Sequence, residues 1–298
     1  MELSVVVPTL NGREQLAACL DALAEQAPDA ETVVVNGPSA DGTTGMVRDR
    51  DDVAVLVEIA DRSVTVARNA GLDRATGDMV ALVSQGLAVK EGWAEAVRTG
   101  LADHAVVTGP THEQLAAGIT TESKEARTIA GRDVTYFNAG NVAFQRSVLD
   151  AIDGFDEYLD IGSSRDVAHR LAAGEYEVGW DSGMCVSREF EADGGIRERD
   201  WGWKYRSLSY RLVKNYGVRP TVARRIVAHA GSDALGALKG VFEGNTAPSQ
   251  WFATGWDVAG GVGVGGKDGL LARVRSATRN PRGRSTRADR AVSVYDWR

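Results

Sequence analysis

Few side chains in this 298-residue sequence stand at a spacing that would let them react together. The two cysteines, Cys19 and Cys185, lie far apart and form no CxxC, so neither a disulfide framework nor a cysteine-rich zinc site is expected. A reducing, cytoplasmic setting fits that usage. His104, His112, His169 and His229 are scattered, without ligand spacing and without a readable Ser/His/Asp arrangement. The run Gly260-Gly-Val-Gly-Val-Gly-Gly266 is followed by no Lys-Ser/Thr pair and has no strand-to-helix context. It is therefore not a phosphate loop, and a flexible segment is expected there. What remains is a set of arginines, carboxylates and turn-forming polar residues. Such groups bind phosphate, orient planar ligands and move protons.

These groups need a scaffold, and the apolar pattern supplies one. Leu3–Val7, Thr32–Val35, Val53–Ile59, Met79–Val83 and Ala105–Thr108 read as buried strands. Between them, Leu16, Cys19, Leu20 and Leu23 recur at helical spacing, with Asn11 expected as the N-cap and Glu14 three residues on. Further helices are expected at residues 65–75 and 90–101. Strand–helix alternation of this kind predicts a mostly parallel sheet covered by helices on both faces. Ligands bind beyond the carboxyl ends of such strands, so the loops at residues 8–11, 36–41 and 84–89 should face one cleft. Residues 139–145 and 176–187 read as further strands, with a helix at about 165–173 between them.

Composition bounds the class. Apolar residues make up 43% and charged residues 25%, as in ordinary soluble domains. No apolar stretch is long enough to span a bilayer, and the opening residues have no basic n-region, so neither a transmembrane helix nor a secretory signal is expected. Net charge is −7. Residues 267–298 hold 9 basic and 3 acidic side chains, so the rest of the chain is acidic and should not bind nucleic acid. Residues 198–216 are aromatic, basic and helical in pattern, residues 231–269 are glycine-rich, and residues 273–298 read as a mobile Arg-rich tail. The expected organisation is one α/β domain over residues 1–228 and a Gly/Trp-containing extension with that tail over 229–298.

Five segments, in order, resemble glycosyltransferase family 2. Ser4-Val-Val-Val-Pro-Thr-Leu-Asn11 resembles its opening strand and loop, and Val33-Val-Val-Asn-Gly-Pro-Ser-Ala-Asp-Gly-Thr43 its second strand and acidic loop. Ala67-Arg-Asn-Ala-Gly71 with Ala75-Thr-Gly-Asp78 is similar to the central "ARNxG…AxGD" segment. Asp153-Gly-Phe-Asp-Glu157 is similar to the "GGFDE" turn, and Asp166 with Arg170-Leu171, Gly174 and Tyr176 to the helix and strand that follow. The resemblance spans roughly residues 3–215. It implies the glycosyltransferase A-type fold and transfer of a sugar, usually with inversion, from a nucleoside diphosphate sugar to a glycan or lipid-linked acceptor.

The resemblance also assigns positions. Pro8, Thr9 and Asn11 stand where the family holds base and ribose, although a plain turn would use the same residues. Asn36 replaces the family's Asp; its amide can still meet a base, or simply tie a turn. Arg68, with Asn69 on the same helix, is implied as a nucleotide or diphosphate contact. The metal-binding "DxD" falls on Ser84, Gln85 and Gly86, and a further metal-contacting His falls on Arg188. None of these is a carboxylate, and hard divalent cations favour charged oxygens. No metal cofactor is therefore expected. Arg188, with Arg165 or Arg68, is expected to neutralise the diphosphate instead. The family's base, the Asp of an "ED" pair, falls on Ser164. Asp166 is a substitute if the chain is extended there but points away if a helix has begun. Asp156 and Glu157 are others. A catalytically silent homologue that binds nucleotide sugar or glycan, or scaffolds a partner, is the alternative. The aromatic stretch and basic tail could rest on an anionic membrane surface, which would make the protein peripheral on the inner face.

Overall fold

In the computed structural model, residues 1–115, 118–121, 125–188, 200–242, 248–275 and 291–298 are described. The chain forms two compact units. The first comprises Met1–Arg127, Asp133–Gly194 and Arg282–Arg298; the second comprises Thr128–Arg132 and Gly195–Pro281.

The first unit begins with the alternation read from the sequence: β1 (Leu3–Thr9), α1 (Arg13–Gln26), β2 (Glu31–Asn36), α2 (Thr43–Arg48), β3 (Val55–Glu58), α3 (Val64–Leu72) and β4 (Met79–Val83). There follow β5 (Leu87–Val89), α4 (Trp93–Asp103), β6 (Val106–Thr108), β7 (Thr111–Leu115), β8 (Gly118–Thr121), β9 (Glu125–Ile129), β10 (Arg132–Tyr136), β11 (Asn141–Gln145), α5 (Arg146–Ile152), α6 (Ser163–Ala173), β12 (Val178–Trp180) and β13 (Val186–Arg188). The second unit holds α7 (Trp201–Tyr216), α8 (Pro220–Phe242) and α9 (Pro248–Arg275). The chain returns to the first unit as β14 (Ser293–Asp296).

The main sheet has eight strands in the order β12-β6-β11-β4-β1-β2-β3-β14. It is mostly parallel; β11 and β14 run antiparallel to their neighbours. All seven residues of β1 are buried, as expected of a central parallel strand with both faces covered. Val5 and Val7 point to the side of Leu16 and Leu20 of α1, while Val6 points to the side of Val66 and Ala70 of α3. The period-2 side-chain alternation thus divides the core into two layers. From β1 the chain winds outward through β2 and β3 and then returns to β4 on the other flank of β1. That reversal opens a crevice at the carboxyl ends of β1 and β4.

Three expectations are corrected. Asn11 does not cap α1: Gly12 holds that position, and Asn11 adopts a left-handed φ of 49° with its side chain engaged elsewhere. The end of the tail is ordered: its last residues form β14 on the outer edge of β3, while residues 276–290 lie outside the described residues. This pairing satisfies a strand edge that would otherwise expose unpaired amides and carbonyls. Tyr295 packs on the core, with the Arg48 guanidinium 5.0 Å from its ring centre. The glycine run lies within α9 rather than in a flexible segment. A Cβ on Gly261, Gly265 or Gly269 would lie 2.2 Å from Gly202 O, 2.1 Å from Arg206 O or 2.5 Å from Tyr210 O, respectively. Glycine at every fourth position lets α9 lie against the α7 backbone, a closeness that recovers the helix-propensity cost of glycine.

Candidate functional site

Two cavities open at the carboxyl ends of the sheet strands. The smaller, about 230 Å³, is lined by Pro8, Thr9, Gly37, Asp61, Ser84 and Gln85, among others. The larger, about 650 Å³, is lined by Arg68, Ser84, Tyr136, Asn138, Ser164 and Arg165, among others. They share Val64 and Ser84, so they are neighbouring compartments of one cleft at the crevice between β1 and β4.

The loops after β1 and β2 brace each other on the side of the smaller cavity. The Asn11 N–H donates to Ser39 Oγ at 2.9 Å, and Asn11 Oδ1 accepts from the Ala40 N–H at 2.9 Å. The Arg13 N–H donates to Asp41 at 3.0 Å; slight desolvation raises the exposed Asp41 carboxyl, but this bond and those from Thr43 outweigh it and hold the carboxyl below its usual range. Asn36 lies beneath this brace, 1% exposed. Its Oδ1 accepts from Ser39 at 2.6 Å, and its Nδ2 donates to Thr44 at 3.0 Å. Thr44 in turn donates to Glu58 at 2.7 Å. Asn36 lines neither cavity, so the amide expected to read a base instead ties down the loop. Asn11 is likewise a tie, while Pro8 and Thr9 do face the cleft.

The segment that carries the "DxD" elsewhere is tied down in the same way. Gln85 Oε1 accepts from the Leu10 N–H at 3.0 Å, and the Leu87 N–H donates to the Ser84 carbonyl at 3.0 Å. A side chain at position 12 would collide with Gln85, its Cβ 2.1 Å from Nε2, so Gly12 is what leaves room for this bridge. Gly86 lies in the turn and lines neither cavity. Ser84 and Gln85 offer neutral oxygens alone. Among the described residues no group of three or more His, Cys, Asp and Glu side chains is placed to hold a metal ion. Neutral oxygens of this kind are poor ligands for a hard divalent cation.

The larger cavity differs. Arg68 on α3 is 8% exposed, and its Nε has no hydrogen-bond partner. One Nη reaches the Ala139 carbonyl at a long 3.5 Å, and the guanidinium lies 5.5 Å from the Phe155 ring centre. No carboxylate pairs with it among the described residues. Burial alone pushes its pKa down to about 10, which still leaves it a cation at neutral pH. Arg165 lines the same cavity but pairs with Glu125 at 3.1 Å and stacks on Tyr136 at 4.3 Å. Arg188 ends β13 opposite Leu87, close to the Ser84–Gly86 turn, yet it lines neither cavity. Of the three arginines expected to meet phosphate, Arg68 has the geometry for it.

The base candidates separate as sharply. α6 begins at Ser163, so Asp166 is helical and turned inward. It is fully buried and accepts from Arg170 Nε at 2.8 Å. Asp156 is also fully buried, and its Oδ1 accepts from the Tyr158 N–H at 3.1 Å within the turn. Glu157 accepts from Asn69 Nδ2 at 3.0 Å. None of the three lines the larger cavity; Ser164 does. Sequence reasoning missed Asp160, Glu125, Tyr136 and Asn138 on that wall, and Asp61 in the smaller cavity. The turn formers in Phe137-Asn-Ala-Gly-Asn141 were an available signal: Asn138 Oδ1 accepts from the Gly140 N–H, and the Gly140 carbonyl accepts from Ser84 N–H.

Known proteins resemble this chain in sequence and fold. The chain is 29% identical over 99 residues to glycosyltransferase AglE of Haloferax volcanii, covering 31% of this chain and 33% of that protein. It is 23% identical over 220 residues to the pre-mycofactocin glycosyltransferase of Mycobacterium tuberculosis, covering 67% of this chain and 44% of that one. It thus spans a third to under half of the length of these curated relatives. Among solved structures, S. aureus TarS residues 1–349 in complex with UDP-GlcNAc superposes with a TM-score of 0.63 at 17% identity, covering 88% of this chain and 82% of that one. The mannosyltransferase PcManGT of Pyrobaculum calidifontis, in complex with GDP-Man and Mn2+, gives 0.54 at 20% identity, covering 92% and 87%. Both share the A-type fold expected from the sequence. Residues 4–149, just under half of the chain, match the family described as Glycosyl transferase family 2, and this part of the chain belongs to that family.

Proposed function

We propose that the chain transfers a sugar from a nucleoside diphosphate sugar to a glycan or lipid-linked acceptor, and that arginine rather than a divalent cation meets the diphosphate charge. The nucleoside occupies the smaller cavity beside Pro8 and Thr9, and the sugar extends past Ser84 into the larger one. Arg68 carries the reading: it is a buried guanidinium, aimed into the cleft, with an Nε lacking any partner. An uncompensated buried cation is costly in the free protein, and an anionic ligand removes that cost. Guanidinium also binds phosphate oxygens bidentately, which fixes orientation as well as charge. Thermal-shift measurements with UDP and GDP, in manganese and in EDTA, test it. A nucleotide that binds the fold raises its melting temperature by mass action. Stabilisation should persist in EDTA and be lost in Arg68→Met; stabilisation that requires manganese would overturn the metal-free site.

An anionic membrane surface is the partner supported in the second unit. Trp256 is 81% exposed and Val274 74%, and with Val264, Leu270 and Leu271 they occupy about a third of the α9 circumference at 100° per residue. Lys267 lies within that arc. An exposed apolar stripe with a basic residue suits the interface of an anionic bilayer. Among the described residues, no helix is long and apolar enough to cross one. Flotation with phosphatidylglycerol vesicles should fall when Trp256 and Val274 are both changed to Ser, and equal flotation would remove this partner.

A further inference from the structure

We infer that Asp160 is the general base of the transfer, a role that rests on the activity proposed above. An inverting transfer needs a carboxylate with free lone pairs beside the acceptor hydroxyl. The position expected to supply it is Ser164, whose neutral hydroxyl cannot do so. Two carboxylates line the larger cavity, Glu125 and Asp160. Glu125 is held by Arg165 at 3.1 Å and by Arg127 at 3.6 Å. Asp160 is exposed to the cavity and makes no hydrogen bond or ion pair among the described residues.

Asp160 is nonetheless held in place. Its neighbour Leu159 is fully buried, with its N–H donating to the Asp156 carbonyl at 3.0 Å and its carbonyl accepting from Thr65 Oγ1 at 2.8 Å. Two residues on, Gly162 takes the left-handed φ of 80° that opens α6. The backbone that carries the carboxylate is thus held on both sides, on the wall that also carries Arg68 and Ser164. Such anchoring limits the reorganisation needed to reach a reactive geometry.

The step balances with these groups. The acceptor oxygen forms a bond to the anomeric carbon while its proton passes to Asp160. The bond from that carbon to the diphosphate oxygen breaks, and the electron pair leaves with the nucleoside diphosphate, whose charge Arg68 meets. The products are the inverted glycoside, the nucleoside diphosphate and a protonated Asp160, which returns its proton to water.

The test uses the full chain, with release of UDP from UDP-GlcNAc and of GDP from GDP-mannose, water serving as acceptor. Asp160→Asn should lower kcat by about 10²- to 10⁴-fold, the range for a lost general base, while KM and the thermal shift with free UDP or GDP stay as in the unaltered chain. Formate should restore part of the turnover of Asp160→Ala, as a structural role would not. Turnover of Asp160→Asn within about threefold of the unaltered chain would overturn the assignment. So would an unaltered chain that binds nucleotide but releases none from either donor; it would be a silent binding protein with its donor site intact. Failure to bind any nucleotide would instead defeat the underlying reading.

Discussion

The two ends of the main sheet are built on opposite principles. At the amino end, polar groups satisfy one another. The Ser4 hydroxyl donates to Glu31 and accepts from the Gly77 N–H at 2.8 Å. Glu31 also accepts from the Thr76 N–H at 2.8 Å, the Thr76 hydroxyl at 2.9 Å and Arg298 at 2.8 Å. Arg146 donates to the carbonyls of Gly77 and Ala75, both at 2.7 Å. At the carboxyl end, Arg68 keeps a buried nitrogen without a partner and Asp160 keeps a carboxylate without one. One end locks the chain ends and loops to the sheet. The other leaves charged groups unmet, at a cost to stability of the kind a binding site bears, and the proposed function rests on that difference.

The contrast predicts opposite signs for substitutions at the two ends. The largest effect on binding is expected for Arg68→Met. Its affinity for a nucleoside diphosphate, measured by calorimetry, should fall by about tenfold or more, the equivalent of a charge-assisted hydrogen bond worth ~1.5–3 kcal/mol. Its melting temperature without nucleotide should stay level or rise, because an unpaired buried cation has gone. A marked loss of stability would place Arg68 with the locking groups and break the comparison.

Glu31→Ala should do the reverse. Removing the shared acceptor strands several donors, so urea unfolding should report a loss of about 1–3 kcal/mol. Nucleotide affinity should stay within about twofold, less than the 1.4 kcal/mol that a tenfold change represents. Gln85→Ala sharpens the distinction, because Gln85 is a satisfied group at the carboxyl end. Its loss should cost about 0.5–1.5 kcal/mol of stability. If binding falls as steeply as in Arg68→Met, position along the strands rather than unmet valence is what matters.

The smallest expected effect is in pH. Burial raises the Glu31 carboxyl, but its hydrogen bonds from Ser4, Thr76 and Arg298 outweigh burial and hold it below the usual value. The unfolded chain therefore takes up the proton first as pH falls. The contribution is fully present above roughly pH 4.3, the ordinary glutamate value, and is lost as pH drops through the lower folded value. Urea unfolding at pH 6 and pH 3 should show a gap that narrows in Glu31→Gln; an unchanged gap would mean that other carboxylates govern acid stability.

Much of the scaffold was legible because burial leaves a periodic trace. The valine runs of β1 and β2 and the Leu16–Leu23 stripe of α1 announce themselves by spacing. The helical spacing from Ser163 onward also contained the fate of Asp166: a two-residue step turned it toward Arg170. Irregular and partner-dependent features left no such trace. Asn11 reads as a helix cap until the second loop arrives to accept and donate to it. A glycine run reads as flexible until α7 is there to receive α9. The last residues read as a tail until β3 offers them an open edge.

The sequence alone determined the class of fold and the end of the sheet at which its loops gather, because each depends on residue type and local period. The tertiary structure decided which of the expected residues remain available. Whether Asn36, Asp156 or Asp166 can meet a ligand depends on the partners that the folded backbone brings to each: Ser39 and Thr44, Tyr158, and Arg170. Burial and hydrogen bonding engaged these three elsewhere. They left Arg68 and Asp160 facing the cleft with unmet charge.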